Sequence, residues 1–233
     1  FSGGTGAEGD GGVARWTEFF EEQNEGGKRL ASICHTRPSG SFFGLAQLSP
    51  FTRKSKAWKD LMTLPTIEDR VSALRNDVTR AKLIAEGIEA GDMKNLAWML
   101  HPFGTDTKPN MDFTRQQSLL QIAEAEGKDP VEVYVERLLA SEGKEFFNFW
   151  MFGGNLENQW KYMQLPHVVP MLGDAGAHVG FFTDTDSPTV LLSELTREQG
   201  VYTLPEAVHR ITGKSAEIIG LKERGQLRKG WHA

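Results

Sequence analysis

The chain has 233 residues, 24% of them charged and 39% hydrophobic, the balance of an ordinary globular protein of one large domain or two small ones. Its 26 basic and 31 acidic residues leave a net charge of −5, which argues against a nucleic-acid binder, since that function needs a basic surface. The most apolar runs, Val168 to Leu172 and Val190 to Leu195, are far shorter than the ~20 residues of a membrane span; the single cysteine, Cys34, excludes a disulfide framework and points to a reducing, cytoplasmic setting.

Six of the first twelve residues are glycine, which predicts a loop. A helix is expected over Val13 to Asn24, with Trp16, Phe19 and Phe20 on its apolar face and Gly26-Gly27 at its end. Arg29 to His35 reads as a short strand, and Thr36 to Gly44, rich in Pro, Ser and Gly, as a loop. Thr66 caps one helix that runs on through Val71, Leu74 and Leu83. Ala97 to His101 has the character of a short strand. Thr114 and Gln117 form a capping box for a helix that turns Leu119, Leu120, Ile122 and Ala123 inward and closes at Gly127. Asp129-Pro130-Val131-Glu132 opens the next, with Val131, Val135, Leu138 and Leu139 on its apolar face. The aromatic run Phe146 to Phe152 is a further candidate strand, and its rings fit a core better than a ligand platform.

Val168 to Leu172 is continuously apolar, as a strand buried on both faces requires. Gly173-Asp174-Ala175-Gly176-Ala177-His178 breaks that run. Ser187-Pro188 is expected to cap a helix through Leu195 that ends at Gly200. Thr203 and Glu206 form a capping box for the helix through Ile211. Buried strands alternating with helices predict an α/β protein with parallel strands. Two or three strands do not close a sheet over this many helices. Further strands are either hidden or carried elsewhere, and the start at Phe1 and the end at Ala233 read as cuts in a longer chain.

Asp174 is the sharpest candidate for chemistry. It follows a buried strand directly, where parallel α/β folds place functional side chains, and a carboxylate there can bind a divalent metal or take a proton from water. His178 lies four residues on. The plainer alternative is an Asp capping a turn beside an ordinary loop histidine. His35 and Arg37 end the first strand, where an Arg fork can hold a substrate carboxylate; the alternative is a solvated surface Arg. His101 sits similarly at the end of a shorter run. Other metal-ligand spacing is absent, because the closest two histidines, His167 and His178, are 11 residues apart. Cys34 and His35 are not a nucleophile pair, since adjacent strand residues point to opposite faces.

Leu172-Gly-Asp-Ala-Gly-Ala-His-Val179, followed by Ser187-Pro-Thr-Val-Leu-Leu-Ser193, resembles the N-acyl-D-amino-acid deacylase (D-aminoacylase) branch of the amidohydrolase superfamily. Leu204 to Val208, Arg210-Ile-Thr212 and Ile219 to Leu227 are similar to the distal part of the same family. The Arg37-Pro38 strand end and the segment Trp58, Leu61, Leu64, Pro65, Arg70 resemble its preceding part. The resemblance implies part of a TIM (β/α)8 barrel, containing its last strands, with a long helical insertion over about 50–165 and the last barrel strand at about 168–173. The amino-terminal barrel half and a flanking β-sandwich would be missing. It implies a metal-dependent amide hydrolase using Zn²⁺ on a small-molecule acyl-amide, with no nucleic-acid or membrane partner. Asp174 would be metal ligand and proton shuttle, His178 a substrate neighbour, and His35 and Arg37 substrate contacts. The family's His-x-His motif and remaining metal ligands lie upstream of the matched region, so this chain alone is expected to be inactive. Two other readings stay open: a non-catalytic α/β domain that binds a partner, and another amidohydrolase such as a cyclic-amide hydrolase.

Overall fold

The computed structural model describes residues 9–37, 39–105, 117–152, 156–170 and 185–232. The chain divides into two compact units. One is built on Gly40–Met151; the other takes its strands and helices from the stretches before and after it.

The first unit holds α1 (Gly9–Glu25), β1 (Ser32–Cys34), α8 (Leu156–Met163), β5 (Val168–Pro170) and α9 (Ser187–Val190). A π-helical segment, Leu191–Glu198, continues α9, and α10 (Leu204–Ile211) and α11 (Gly213–Ile218) follow. β1 and β5 pair in parallel, Ser32 opposite Val168 and Cys34 opposite Pro170. The predicted parallel strands are therefore present, with β5 buried at every residue. Met171 and Leu172, expected to extend β5, lie outside the described residues. The core around this pair contains Phe20, Cys34, Tyr162, Met163, Val168, Leu191, Leu195 and Ala207. Arg210 ties the sheet to α10. Its guanidinium donates to the carbonyls of Met163, Gln164 and Val168, and it lies 5.1 Å over the Tyr202 ring. The expected Thr203–Glu206 capping box forms, with Thr203 N donating to Glu206 at 2.8 Å. α1 starts at Gly9, so Gly9 to Gly12 are helical where their glycines predict a loop.

The second unit holds β2 (Ser39–Phe43), α2 (Lys56–Met62), α3 (Ile67–Arg75), α4 (Asp77–Ala90), α5 (Met93–Leu96), β3 (Leu100–Pro102), α6 (Leu119–Glu126), α7 (Pro130–Ala140) and β4 (Phe147–Phe152). β2, β4 and β3 form a three-stranded sheet in that order, β3 and β4 antiparallel with His101 opposite Asn148. This antiparallel pair lies within the stretch expected to be a helical insertion, and it adds to the parallel strands expected from sequence. β2 falls in the segment read as a loop, because Ser39-Gly-Ser41 has no strand propensity of its own. Gly40 permits the pairing: a Cβ there would sit 1.8 Å from the Phe149 carbonyl oxygen.

The helix expected from Thr66 through Leu83 is two helices. Asn76 is extended (φ −70°, ψ 119°), ends α3, and caps α4 by accepting from Thr79 N at 3.0 Å. α6 is capped by Ser118, whose Oγ accepts from Gln121 N, and not by the expected box. Thr114 lies outside the described residues. The α7 box forms as expected, with Asp129 Oδ1 accepting from Val131 N at 2.8 Å. The core runs from Leu45 to Phe147, with Trp58, Leu83, Val131, Tyr134 and Leu138 at its centre. Trp58 is fully buried and satisfied, its indole N–H donating to Leu83 O at 2.9 Å. Among the described residues, no helix is long and apolar enough to cross a membrane.

Candidate functional site

The parallel register fixes one end of the β1–β5 pair as the place where both strands exit. β1 exits there through His35, Thr36 and Arg37. β5 ends at Pro170, opposite Cys34, and Asp174 and His178 lie outside the described residues.

Around β1's exit the contacts are specific. Arg37 is 5% exposed. Its Nε and Nη2 donate to both oxygens of Asp186 at 3.0–3.2 Å, an ion pair joining residues 149 apart in sequence. Such a planar double contact is the arrangement a guanidinium favours with a carboxylate. Thr36, 1% exposed, shares a hydrogen bond with the Ser187 hydroxyl at 3.0 Å. The His35 carbonyl accepts from the buried Gln159 side chain and from Cys34 Sγ at 3.2 Å. Tyr162 donates to Ser32 Oγ at 2.8 Å at the opposite end of the strand. Burial pushes the Cys34 thiol up to about 12, against a smaller opposing pull from Gln159. Cys34 is therefore a neutral core group and no nucleophile.

The sequence pattern locates His35 and Arg37 but misses their partners. Ser187 is expected to cap α9, yet Asp186 occupies the cap position and makes no capping bond. Its carboxylate is turned to Arg37 instead, and Ser187, the first helical residue, is turned to Thr36. The signal available in sequence is a bare Asp-Ser-Pro, which reads equally well as a helix start. His101 belongs to the other unit. It is fully buried in β3, its ring 5.6 Å from Trp150 and its Nδ1 3.1 Å from Met99 O, a structural setting. Among the described residues, no three His, Cys, Asp or Glu side chains come together as a metal site. The described residues alone do not fit a zinc ion, and the donor named from sequence, Asp174, lies outside them.

No family model matches the chain. A stretch of 45 residues is 47% identical to the N-acyl-D-aspartate deacylase of Alcaligenes xylosoxydans xylosoxydans, covering 19% of this chain and 9% of that enzyme. In that stretch the chain is similar to an enzyme named for N-acyl-D-aspartate. Among solved structures, N-acyl-D-glutamate deacylase from Bordetella bronchiseptica, complexed with zinc and a phosphonate mimic of the tetrahedral intermediate, aligns at 16% identity with a TM-score of 0.44. That alignment covers 93% of this chain and 34% of the enzyme. A D-aminoacylase studied for its binuclear metal centre aligns at 16% identity and a TM-score of 0.43, over 95% and 35%. The chain spans about a third of the length of these solved relatives.

Proposed function

We propose that the chain is part of a metal-dependent hydrolase of non-peptide C–N bonds that deacylates N-acyl-D-amino acids or related acyl-amides. The observation that carries this reading is the 47% identity over 45 residues to N-acyl-D-aspartate deacylase. The parallel pairing of β1 with β5 supports it, since adjacent strands of a TIM (β/α)8 barrel pair in this way. The compact Gly40–Met151 unit supports the helical insertion read over about 50–165.

In this reading Asp174 is general base and then general acid. It accepts the proton of the attacking water and returns it to the leaving amine nitrogen as the amide C–N bond breaks. Zinc, when bound, polarises the scissile carbonyl and makes water more acidic. Asp174 contributes one ligand, and the remaining ligands are assigned to the protein upstream of this chain. His178, His35 and Arg37 stand on the substrate side. The substrate is a small acyl-amide, and the setting is cytoplasmic.

Asp174→Asn in the full-length protein tests this. Asn is nearly isosteric but does not accept the proton, so turnover of N-acetyl-D-amino acids falls by ~10²–10⁴-fold while the circular dichroism spectrum is unchanged. An Asp that only caps a turn would be replaced almost silently, because Asn caps about as well. Retention of more than about a tenth of wild-type kcat, well short of a general base's contribution, would overturn the assignment. Hydrolysis of cyclic amides in place of N-acyl-D-amino acids would move the protein to a neighbouring branch.

A further inference from the structure

We propose that the apolar groove between α1 and the approach to β1 is the docking surface of a further parallel strand, supplied by the preceding part of the same polypeptide. The inference rests on the reading of this chain as part of a longer hydrolase.

Two features of the first unit call for the same occupant. One is an open strand edge. Ser32 N donates to His167 O at 2.9 Å, so Ser32 faces β5, and Ile33, the next residue, turns its N–H and C=O to the opposite edge. Among the described residues β1 pairs with β5 alone, and the Ile33 carbonyl accepts only from Ser32 Oγ, at 3.3 Å. The other is a half-exposed apolar face. Trp16, Phe19, Phe20, Leu30 and Ala31 line a groove of about 490 Å³. Phe20 is buried, its ring 5.7 Å from His167, whereas Phe19 is 41% and Leu30 37% exposed. A strand laid along β1 would satisfy the backbone groups of Ile33 and cover these side chains together.

α8 and β5 show the pattern already completed once. α8 leads into β5 and lies over the seam between β5 and β1: Tyr162 donates to Ser32 Oγ at 2.8 Å, and Tyr162, Met163 and Val168 share one core with Cys34. A helix that leads into a parallel strand is the second half of a right-handed crossover, and it packs over that strand and the one it came from. α1 leads into β1 in the same way. β5 follows β1 in sequence, so the strand from which α1 crosses is a different one. Its seam with β1 runs along the Ile33 edge, and its apolar side chains fill the groove. The stretch matched to N-acyl-D-aspartate deacylase is 19% of this chain and 9% of that enzyme, so an enzyme of that kind has ample further polypeptide to supply a strand.

Hydrogen exchange of the full-length protein, read by mass spectrometry on a peptide spanning β1, tests this. Phe19→Ala and Leu30→Ala are compared with Val78→Ala, a control at an 80% exposed position in the second unit. Docking predicts that β1 is protected in the wild type. Its exchange rises about ten-fold or more in Phe19→Ala and Leu30→Ala, because truncating a covered side chain loosens the structure around it, and stays unchanged in Val78→Ala. A rise of less than about ten-fold in both groove variants would overturn the proposal, since changes at exposed positions have little effect. So would a β1 that exchanges in the wild type as fast as an unpaired edge. Protection that fades on dilution, together with a dimer in sedimentation, would hand the groove to a second copy and overturn it as well. Turnover of an N-acetyl-D-amino acid separates this proposal from the one it rests on. Turnover with unmoved exchange sinks the docking alone; shifted exchange in a protein without turnover upholds the docking and removes the deacylase.

Discussion

Cys34 shows how burial at one residue becomes a property of the whole chain. The thiol is 3% exposed, and its folded-state value near 12 stands well above its ordinary 9.0. Tyr162 and Tyr202 move the same way, from 10.0 to about 12, also by burial. In each case the folded state holds the proton more tightly than the unfolded chain. The associated stability is fully present below pH 9. It falls as pH rises from 9 towards 12, where the unfolded thiol and phenols ionise and the folded ones do not. A tenfold difference in proton affinity between the two states corresponds to about 1.4 kcal/mol, so three such groups make the decline steep. Thermal melting followed across this range should show the midpoint dropping, and Cys34→Ala should flatten the drop. Ellman's reagent at about pH 8 should label Cys34 slowly in the native protein and at once in guanidinium, since the thiolate is the reactive form. Rapid native labelling would contradict the buried, neutral thiol.

At the scale of elements, what is legible in the sequence depends on how local its cause is. The capping boxes at Asp129 and Thr203 are legible because cap, proline and acid lie within four residues of each other. β5 is legible because a continuously apolar run has few other uses. β2 is not, since its pairing depends on a distant backbone: only against Phe149 does Gly40 become the residue required. Likewise the break at Asn76 needs its side chain to turn back onto Thr79, which periodicity does not report. At the candidate site, His35 and Arg37 are legible as strand-end residues, whereas Asp186 is hidden by a pattern that mimics a helix cap. These explanations lead to a paired prediction. Gly40→Ala forces backbone apart in the β2–β4–β3 sheet and should destabilise by about 3 kcal/mol or more, the upper end for overpacking. Asn76→Ala removes one cap and should cost only about 1 kcal/mol. Urea denaturation measures both, and equal losses would mean that the sheet yields at Gly40.

At the scale of the molecule, the two hydrophobic cores share no residue among those described. Every buried member of the larger one, from Leu45 to Phe147, lies within Gly40–Met151. So do the polar contacts that tie its elements together: the Trp58 indole to Leu83, Arg70 to the carbonyls of Leu45 and Leu64, and Glu145, 5% exposed at its side chain, to Arg137 at 2.6 Å. A segment with its own core, its own three-stranded sheet and its own half-buried ion pair satisfies the requirements of a folding unit. In the proposed reading this segment is an insertion into a barrel, and such an insertion must fold without disturbing the strands on either side, which a self-contained core allows. Residues 40–151 expressed alone should therefore give a helical circular dichroism spectrum and one cooperative urea transition. Trp58 should report that transition by fluorescence, because its ring is fully buried between Phe51 and Tyr134, at 4.7 and 6.1 Å. Within the fragment, Leu83→Ala opens a cavity beside the indole and should cost about 2–5 kcal/mol, the range for a fully buried leucine. A fragment that melts without cooperativity, or a Leu83→Ala variant as stable as its parent, would show that this core is completed by the rest of the chain and that the insertion reading is wrong.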